Sequence, residues 1–263
     1  MYNNLGGKAQ GIGGLIQLGY SKRFALLYNI PYASSNGKLG VSFYGGYDQQ
    51  HEVTIGTNNN KRVFYTGLSG NTKEHWQLQF SLLHRHKIVT TNTISAAFKN
   101  VSIVPPVSAL KQDYLGVSLP NIRYLELSYL FKKDKRNYKH YPLTGYYLDL
   151  LIQQHGLGIN NNLFLTTFEG SVSKFLKVHN RVYGAIGFKG KFTPQNNIPY
   201  FLQQGLGYDN NLRGYEYYVV DGNHFGMFKS NIKLELIEKK NSLLKKIKNQ
   251  KFNTFYYALY LNF

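Results

Sequence analysis

The chain has 263 residues and a formal charge of +18, from 31 Lys and Arg against 13 Asp and Glu. It contains no cysteine, which excludes a disulfide framework, a thiolate nucleophile and a thiolate metal site. Aromatic residues make up 16% of it, mainly 23 Tyr and 17 Phe, a content suited to surfaces that are apolar on one side and wet on the other.

The positive balance fits a polyanionic partner, either nucleic acid or anionic headgroups. No run approaches the ~18 consecutive apolar residues of a transmembrane helix. The opening "MYNNLGGKAQGIGG" has neither a basic n-region nor an apolar h-region, so it is not expected to be a signal peptide.

In chain order the dominant period is two, not 3.6. About twelve alternating segments are expected, near 12–21, 22–30, 38–48, 60–69, 74–88, 92–103, 121–133, 142–156, 163–177, 180–193, 223–238 and 252–263. In "WQLQFSLLHRH", Trp76, Leu78, Phe80 and Leu82 share one face, and Gln77, Gln79, Ser81 and Arg85 the other. In "RYLELSYLF", Leu125, Leu127, Tyr129 and Phe131 oppose Glu126 and Ser128. Further on, Tyr146, Leu148, Leu150 and Ile152 oppose Tyr147, Asp149 and Gln153. Val182, Ile186, Phe188 and Phe192 oppose Arg181, Lys189 and Lys191, and Ile232, Leu234 and Leu236 oppose Asn231, Lys233 and Glu235. Phe255, Tyr257, Leu259, Leu261 and Phe263 close the chain on one side. Clusters such as "TNNNKR", "LGINNN" and "TPQNNIP" separate the segments, and no linker interrupts them, so the chain reads as one all-β domain over 1–263.

A soluble sandwich also alternates. Three features favour a transmembrane antiparallel β-barrel. Several segments reach the ~10 residues that a tilted strand needs to cross a bilayer. Full charges stand mid-strand at Glu126, Asp149, Glu169, Lys189, Lys191, Lys233 and Glu235, which a dry core would reject and a wet lumen accepts. Tyr and Phe also recur near segment ends, as interfacial girdles require.

The stretch "LRGYEYYVVDGNHFGMFKSNIKLEL" resembles the sixth extracellular loop and following strand of the BamA/TamA superfamily of outer-membrane assembly barrels, the bacterial surface antigen family. Leu212, Arg213, Gly214 and Tyr215 match that loop's four-residue motif. Upstream, "KKDKRNYKHYPLTGYYLDLLIQQHGLG" is similar to a segment of the Bacteroidota members, with Asp134, Arg136, Tyr138, Tyr141, Pro142, Leu143, Gly145, Tyr146 and Tyr147 on the matching positions. The resemblance is sharp from about 121 to 263. It implies that the loop folds back into the lumen, with Arg213 as a latch. The residue types suit that role: a planar fork of donors, a glycine for the tight turn and a ring that packs while its hydroxyl stays bonded.

In the family, the latch's acidic partner lies on the strand after this one, beyond "YALYLNF". The resemblance therefore implies an incomplete copy, with about twelve of about sixteen strands present and with the preceding POTRA domains and the C-terminal strands missing. A fragment or one piece of a split protein is the expectation.

Other constellations carry less. His84 and His86 of "HRH" share a strand face but have no third ligand nearby, so no metal is expected. Asp134 and Asp149 read as a strand-end charge and a lumen residue, not a catalytic pair. No nucleophile elbow, phosphate-binding loop or dinucleotide fingerprint occurs, and no enzyme is expected. The basic runs 132–140 and 238–251 read as charged turns near headgroups or lipid A phosphates, with "NSLLKKI" as one helical turn.

What the resemblance implies is a protein of the cell outer membrane that inserts or translocates other β-barrel proteins. It needs no cofactor. Its partners are membrane lipid and lipopolysaccharide, unfolded barrel clients and accessory lipoproteins, with no nucleic acid. The alternatives are a secretion pore or the barrel of a fused protein, and, from another class, a soluble basic β-protein that binds nucleic acid.

Overall fold

The period-two pattern is realised almost entirely as strand in the computed structural model, which describes residues 2–67, 70–116, 120–158, 163–243 and 254–263. In chain order the strands are β1 (Tyr2–Leu5), β2 (Gln10–Gln17), β3 (Ser21–Ile30), β4 (Leu39–Gln50), β5 (Glu52–Asn58), β6 (Lys61–Thr66), β7 (Lys73–Lys87), β8 (Thr90–Ile103), β9 (Asn121–Asp134), β10 (Gly145–His155), β11 (Leu165–His179), β12 (Val182–Phe192), β13 (Gln204–Leu206), β14 (Val220–Asp221), β15 (Phe225–Leu243) and β16 (Thr254–Asn262). A short helix α1 (Pro105–Leu110) and a 3-10 turn (Tyr200–Leu202) complete the described elements. Twelve strands form one antiparallel sheet in the order β1-β2-β3-β4-β7-β8-β9-β10-β11-β12-β15-β16, while β5–β6 and β13–β14 stand apart as two-stranded sheets.

Register explains why the alternation survives pairing. Between β7 and β8, Ser81 pairs with Ser95 and Gln77 with Lys99, while Leu82 pairs with Ile94 and Leu78 with Phe98. Across the other edge, β4 sets Ser42 against Ser81 and Phe43 against Phe80, whose rings lie 5.1 Å apart. Like therefore meets like on each face, the unit from which sheets gain stability. The apolar face is the exposed one: Leu78 is 60% exposed and Ile94 59%, whereas Ser81 and Ser95 are buried at 7% and 8%. This inversion of a soluble sheet is what lipid solvation requires. The opposite face lines a cavity of about 560 Å³ whose wall includes Ser42, Gln77, Gln79, Ser95, Lys99 and Glu126.

Two compact units divide the chain: residues 1–132, 149–170 and 190–226, and residues 133–148, 171–189 and 227–263. The first unit holds the buried apolar cluster, which is built where its long connections meet. Val107 of α1, Tyr114 and Leu115 from the connection after it, and Ile198 and Tyr200 from the connection after β12 pack on Val101, Ile103, Ile122 and Leu165. The core thus sits among loops and strand ends. In the second unit Lys233 and Glu235 are buried at 9% and 8%, with Ile232 and Leu236 exposed on the other face of β15.

Several boundaries correct the sequence expectations. The segment 60–69 is not a strand of the large sheet; it is β6, paired with β5 in its own hairpin, and residues 68 and 69 lie outside the described ones. The twelfth strand is supplied by β1, which pairs with β2 from Tyr2 to Leu5. Residues 142–144 precede β10 and belong to its turn. Asn241, Ser242 and Leu243 are strand, paired with Tyr256, Phe255 and Thr254, and not a helical turn. The rest of the basic run, residues 244–251, lies outside the described residues, as does most of the "LGINNN" separator.

Candidate functional site

Within the first unit, the connection between β12 and β15 is anchored at Asp221. Its carboxylate accepts hydrogen bonds from the Tyr208 and Tyr200 hydroxyls, the latter at 2.9 Å, and from Thr57 Oγ1 at 3.2 Å. Thr57 comes from the β5–β6 hairpin, which supplies two further ties. Val219 N donates to Asn60 O at 2.8 Å, and Arg62 reaches Gly207 O at 3.2 Å while its guanidinium sits 4.5 Å over the Tyr208 ring. Burial, with the hydrogen bond to Asp221 second, pushes the Tyr208 hydroxyl up to about 12. The phenol therefore stays a donor at neutral pH. The loop is held by a carboxylate ringed by hydroxyls.

The expected latch residues lie further along the same connection. Leu212 is half-buried, but Arg213, Gly214 and Tyr215 are exposed, and Arg213 makes no hydrogen bond or ion pair among the described residues. Gly214 does adopt φ +82°, the left-handed region that only glycine enters freely. Its N–H donates to Glu216 Oε1 at 3.1 Å. The Glu216 N–H first, then that bond, and then the nearby Arg213 charge hold the Glu216 carboxyl below the usual range. The motif thus forms a tight exposed turn. The acid that anchors this connection is Asp221, six residues beyond Tyr215.

Still in the first unit, the expected lumen charge Glu126 is 6% exposed and compensated. Lys99 Nζ lies 2.7 Å from its Oε2 and His155 Nδ1 2.8 Å from the same atom, and Gln153 approaches Oε1 at 3.5 Å. Three neighbouring sheet strands, β8, β9 and β10, supply this group. Glu169 and Lys191 line a second cavity of about 210 Å³ with His155, Gln204 and Tyr208. Lys191 donates to the carbonyls of Gln204 at 3.0 Å and Leu202 at 3.3 Å.

In the second unit, the residues of the longer motif come together in the β9–β10 turn. Arg136 binds Asp134 as a fork, Nε to Oδ1 at 2.9 Å and Nη2 to Oδ2 at 2.7 Å, and its guanidinium lies 4.7 Å over the Tyr147 ring. Asn137 Oδ1 accepts from the amides of Leu143 and Thr144 at 3.0 and 3.1 Å. Gly145 sits at φ +106°, and a Cβ there would lie 2.1 Å from Lys135 O. The turn reaches β15 and β16: Lys233 donates to Pro142 O at 3.0 Å and stands 3.8 Å over the Tyr141 ring, and the Tyr141 hydroxyl donates to Asn262 at 3.1 Å. Glu235 accepts from Tyr260 at 2.9 Å. Tyr138, 60% exposed, touches only His140 among the described ring contacts.

His84 and His86 are both exposed near the end of β7, on the face that carries Leu82. Among the described residues no group of three His, Cys, Asp or Glu is placed to hold a metal ion.

No family model matches the chain, and no curated protein matches it in sequence. In structure it is similar to BamA from Haemophilus ducreyi, crystallised without POTRA domains 1–3, with a TM-score of 0.66 at 12% identity over 95% of this chain. The chain spans about half the length of that structure, 50% of it. A ferric enterobactin receptor from Pseudomonas aeruginosa gives a TM-score of 0.36 at 13% identity, covering 86% of this chain and 36% of the receptor. The fold is that of a BamA-like β-barrel.

Proposed function

We propose that this chain is the barrel part of an outer-membrane assembly factor of the BamA/TamA kind, of the Bacteroidota type that its 134–147 motif resembles. It helps unfolded β-barrel proteins enter or cross the membrane, works beside accessory lipoproteins, and uses neither a cofactor nor a catalytic residue. The observation that carries this reading is the likeness in fold to BamA over 95% of the chain. The two motif-bearing segments support it, because both are built into defined turns: Arg136 in a carboxylate fork and Gly214 in a left-handed turn. In physical terms, insertion requires that a client strand gain backbone hydrogen bonds from a sheet edge while its apolar face enters lipid.

The test is reconstitution of the chain in lipid vesicles, followed by addition of a urea-unfolded barrel client. The expected result is faster appearance of heat-modifiable, protease-protected client than in empty vesicles. Equal rates in the two preparations would overturn the reading.

A further inference from the structure

In the second unit, three lysines converge on one aromatic ring with no acid among them. The ammonium groups of Lys133 and Lys135 each lie 5.7 Å from the centroid of Tyr146, and that of Lys174 lies 5.6 Å from it. Lys133 is on β9 and Lys135 just past its end, Tyr146 is on β10 and Lys174 on β11, and these three strands are neighbours in the sheet. Every described acid of this unit is engaged elsewhere: Asp134 with Arg136, Glu235 with Tyr260 and Tyr183, and Glu238 with Arg181. None of the three lysines forms an ion pair among the described residues. One half-buried ring shared by three cations offers each of them little, and like charges this close repel unless an anion joins them.

The position of the cluster selects the anion. Lys174 lies on the outward row of β11, between Val172 and Leu176, which are 46% and 45% exposed, with Val178 beyond them at 66%. On β10 the neighbour of Tyr146 along the same row is Leu148. A lysine on a lipid-facing row is strongly unfavourable at mid-bilayer and nearly neutral at the interface. Its stem packs on the apolar row while the ammonium reaches the headgroups. The β11–β12 connection beside the cluster has only two residues, 180–181. Short turns lie on the periplasmic side of bacterial barrels.

We infer that Lys133, Lys135 and Lys174 around Tyr146 form a binding site for the phosphate of an anionic glycerophospholipid in the periplasmic leaflet. This rests on the barrel fold and not on the assembly reading, so either can fail alone.

The experiment is native mass spectrometry of the detergent-folded chain titrated with phosphatidylglycerol and, separately, phosphatidylcholine. Phosphatidylglycerol adducts are expected to outlast phosphatidylcholine adducts, and K133Q/K135Q/K174Q should weaken their retention on the order of a hundredfold, from about fivefold per lysine. K8Q/K38Q/K61Q removes the same charge elsewhere and is expected to leave retention within about twofold of the unaltered chain. Folding of each variant is checked by heat-modifiable mobility. If the triple variant does not fold, K174Q alone should still lower retention about fivefold. Equal retention of the two lipids, equal loss in the two triple variants, or displacement of the lipid by inorganic phosphate in molar excess would each overturn the inference.

Discussion

Replacing Asp221 with Asn keeps the side chain's shape and removes its charge. In the structure, one carboxylate oxygen accepts from Tyr208, while the other accepts from Tyr200 at 2.9 Å and Thr57 at 3.2 Å. Hydrogen bonds to a charged acceptor contribute about 1.5–3 kcal/mol each, and neutral ones about 0.5–1.5. The amide nitrogen also turns one acceptor into a donor, so Tyr200, buried at 7%, must reverse its hydroxyl to stay bonded. Allowing for the solvent exposure of Thr57 and Tyr208, Asp221→Asn should loosen the loop by roughly 2 kcal/mol. That corresponds to roughly a thirtyfold rise in local opening. Hydrogen exchange reads it directly. The Val219 amide, bonded to Asn60 O at 2.8 Å, should lose roughly thirtyfold in protection, while amides in the middle of β7 keep theirs. Unchanged protection at Val219 would show that Asp221 does not anchor the loop, and the account of this connection would fail.

Gly145→Ala meets both a left-handed φ and a carbonyl 2.1 Å from the new methyl group, so a loss of about 3 kcal/mol is expected, seen as a lower temperature for loss of the folded band on semi-native gels. Arg136→Ala removes the fork to Asp134 and the contact with Tyr147, and should cost about 1–2 kcal/mol by the same assay, with Arg136→Lys recovering only part because lysine cannot bind as a fork. Alkaline pH should release the anchored loop. The Tyr208 hydroxyl is raised in the folded state to about 12, so its contribution is fully present below the unfolded value near 10 and is lost as pH rises through 12. Exchange at Val219, corrected for the intrinsic rate, should therefore begin to accelerate above about pH 10, and Tyr208→Phe should flatten that dependence.

The large sheet was legible because its signal is local. Alternation over "WQLQFSLL" needs no knowledge of partners, and neighbouring strands repeat it in a register that sets serine against serine and leucine against isoleucine. The inward charges followed from the same parity: Glu126, Lys233 and Glu235 are buried on the faces expected for them. What escaped was short or assembled from distant parts of the chain. Among the described strands β5, "EVTIGTN", pairs with β6 alone, and its alternation is too brief to separate from the loop around it. The strands β13 and β14 have three and two residues, below any period.

The partners of Glu126 lie 27 and 29 residues away on other strands, so only register brings Lys99 and His155 to it. The loop anchor escaped for a related reason. Arg213 drew attention because its motif resembles a known one, whereas Asp221 is an ordinary loop aspartate until Thr57, Tyr200 and Tyr208 are seen to surround it. By contrast, the Asp134–Tyr147 motif was legible as a unit because its contacts are mostly made within one turn.

The central claim is that the sheet turns its apolar face to lipid and its polar face to a wet interior. The absence of cysteine makes the decisive measurement simple, since each introduced cysteine is unique. Single cysteines at Gln77, Leu78, Gln79, Phe80, Ser81 and Leu82, spin-labelled in lipid vesicles, would be assayed for collision with oxygen and with a water-soluble nickel chelate. A period of two is expected, with labels at 78, 80 and 82 accessible to oxygen and those at 77, 79 and 81 accessible to the chelate. Loss of that alternation, or its reversal, would contradict the membrane-barrel account.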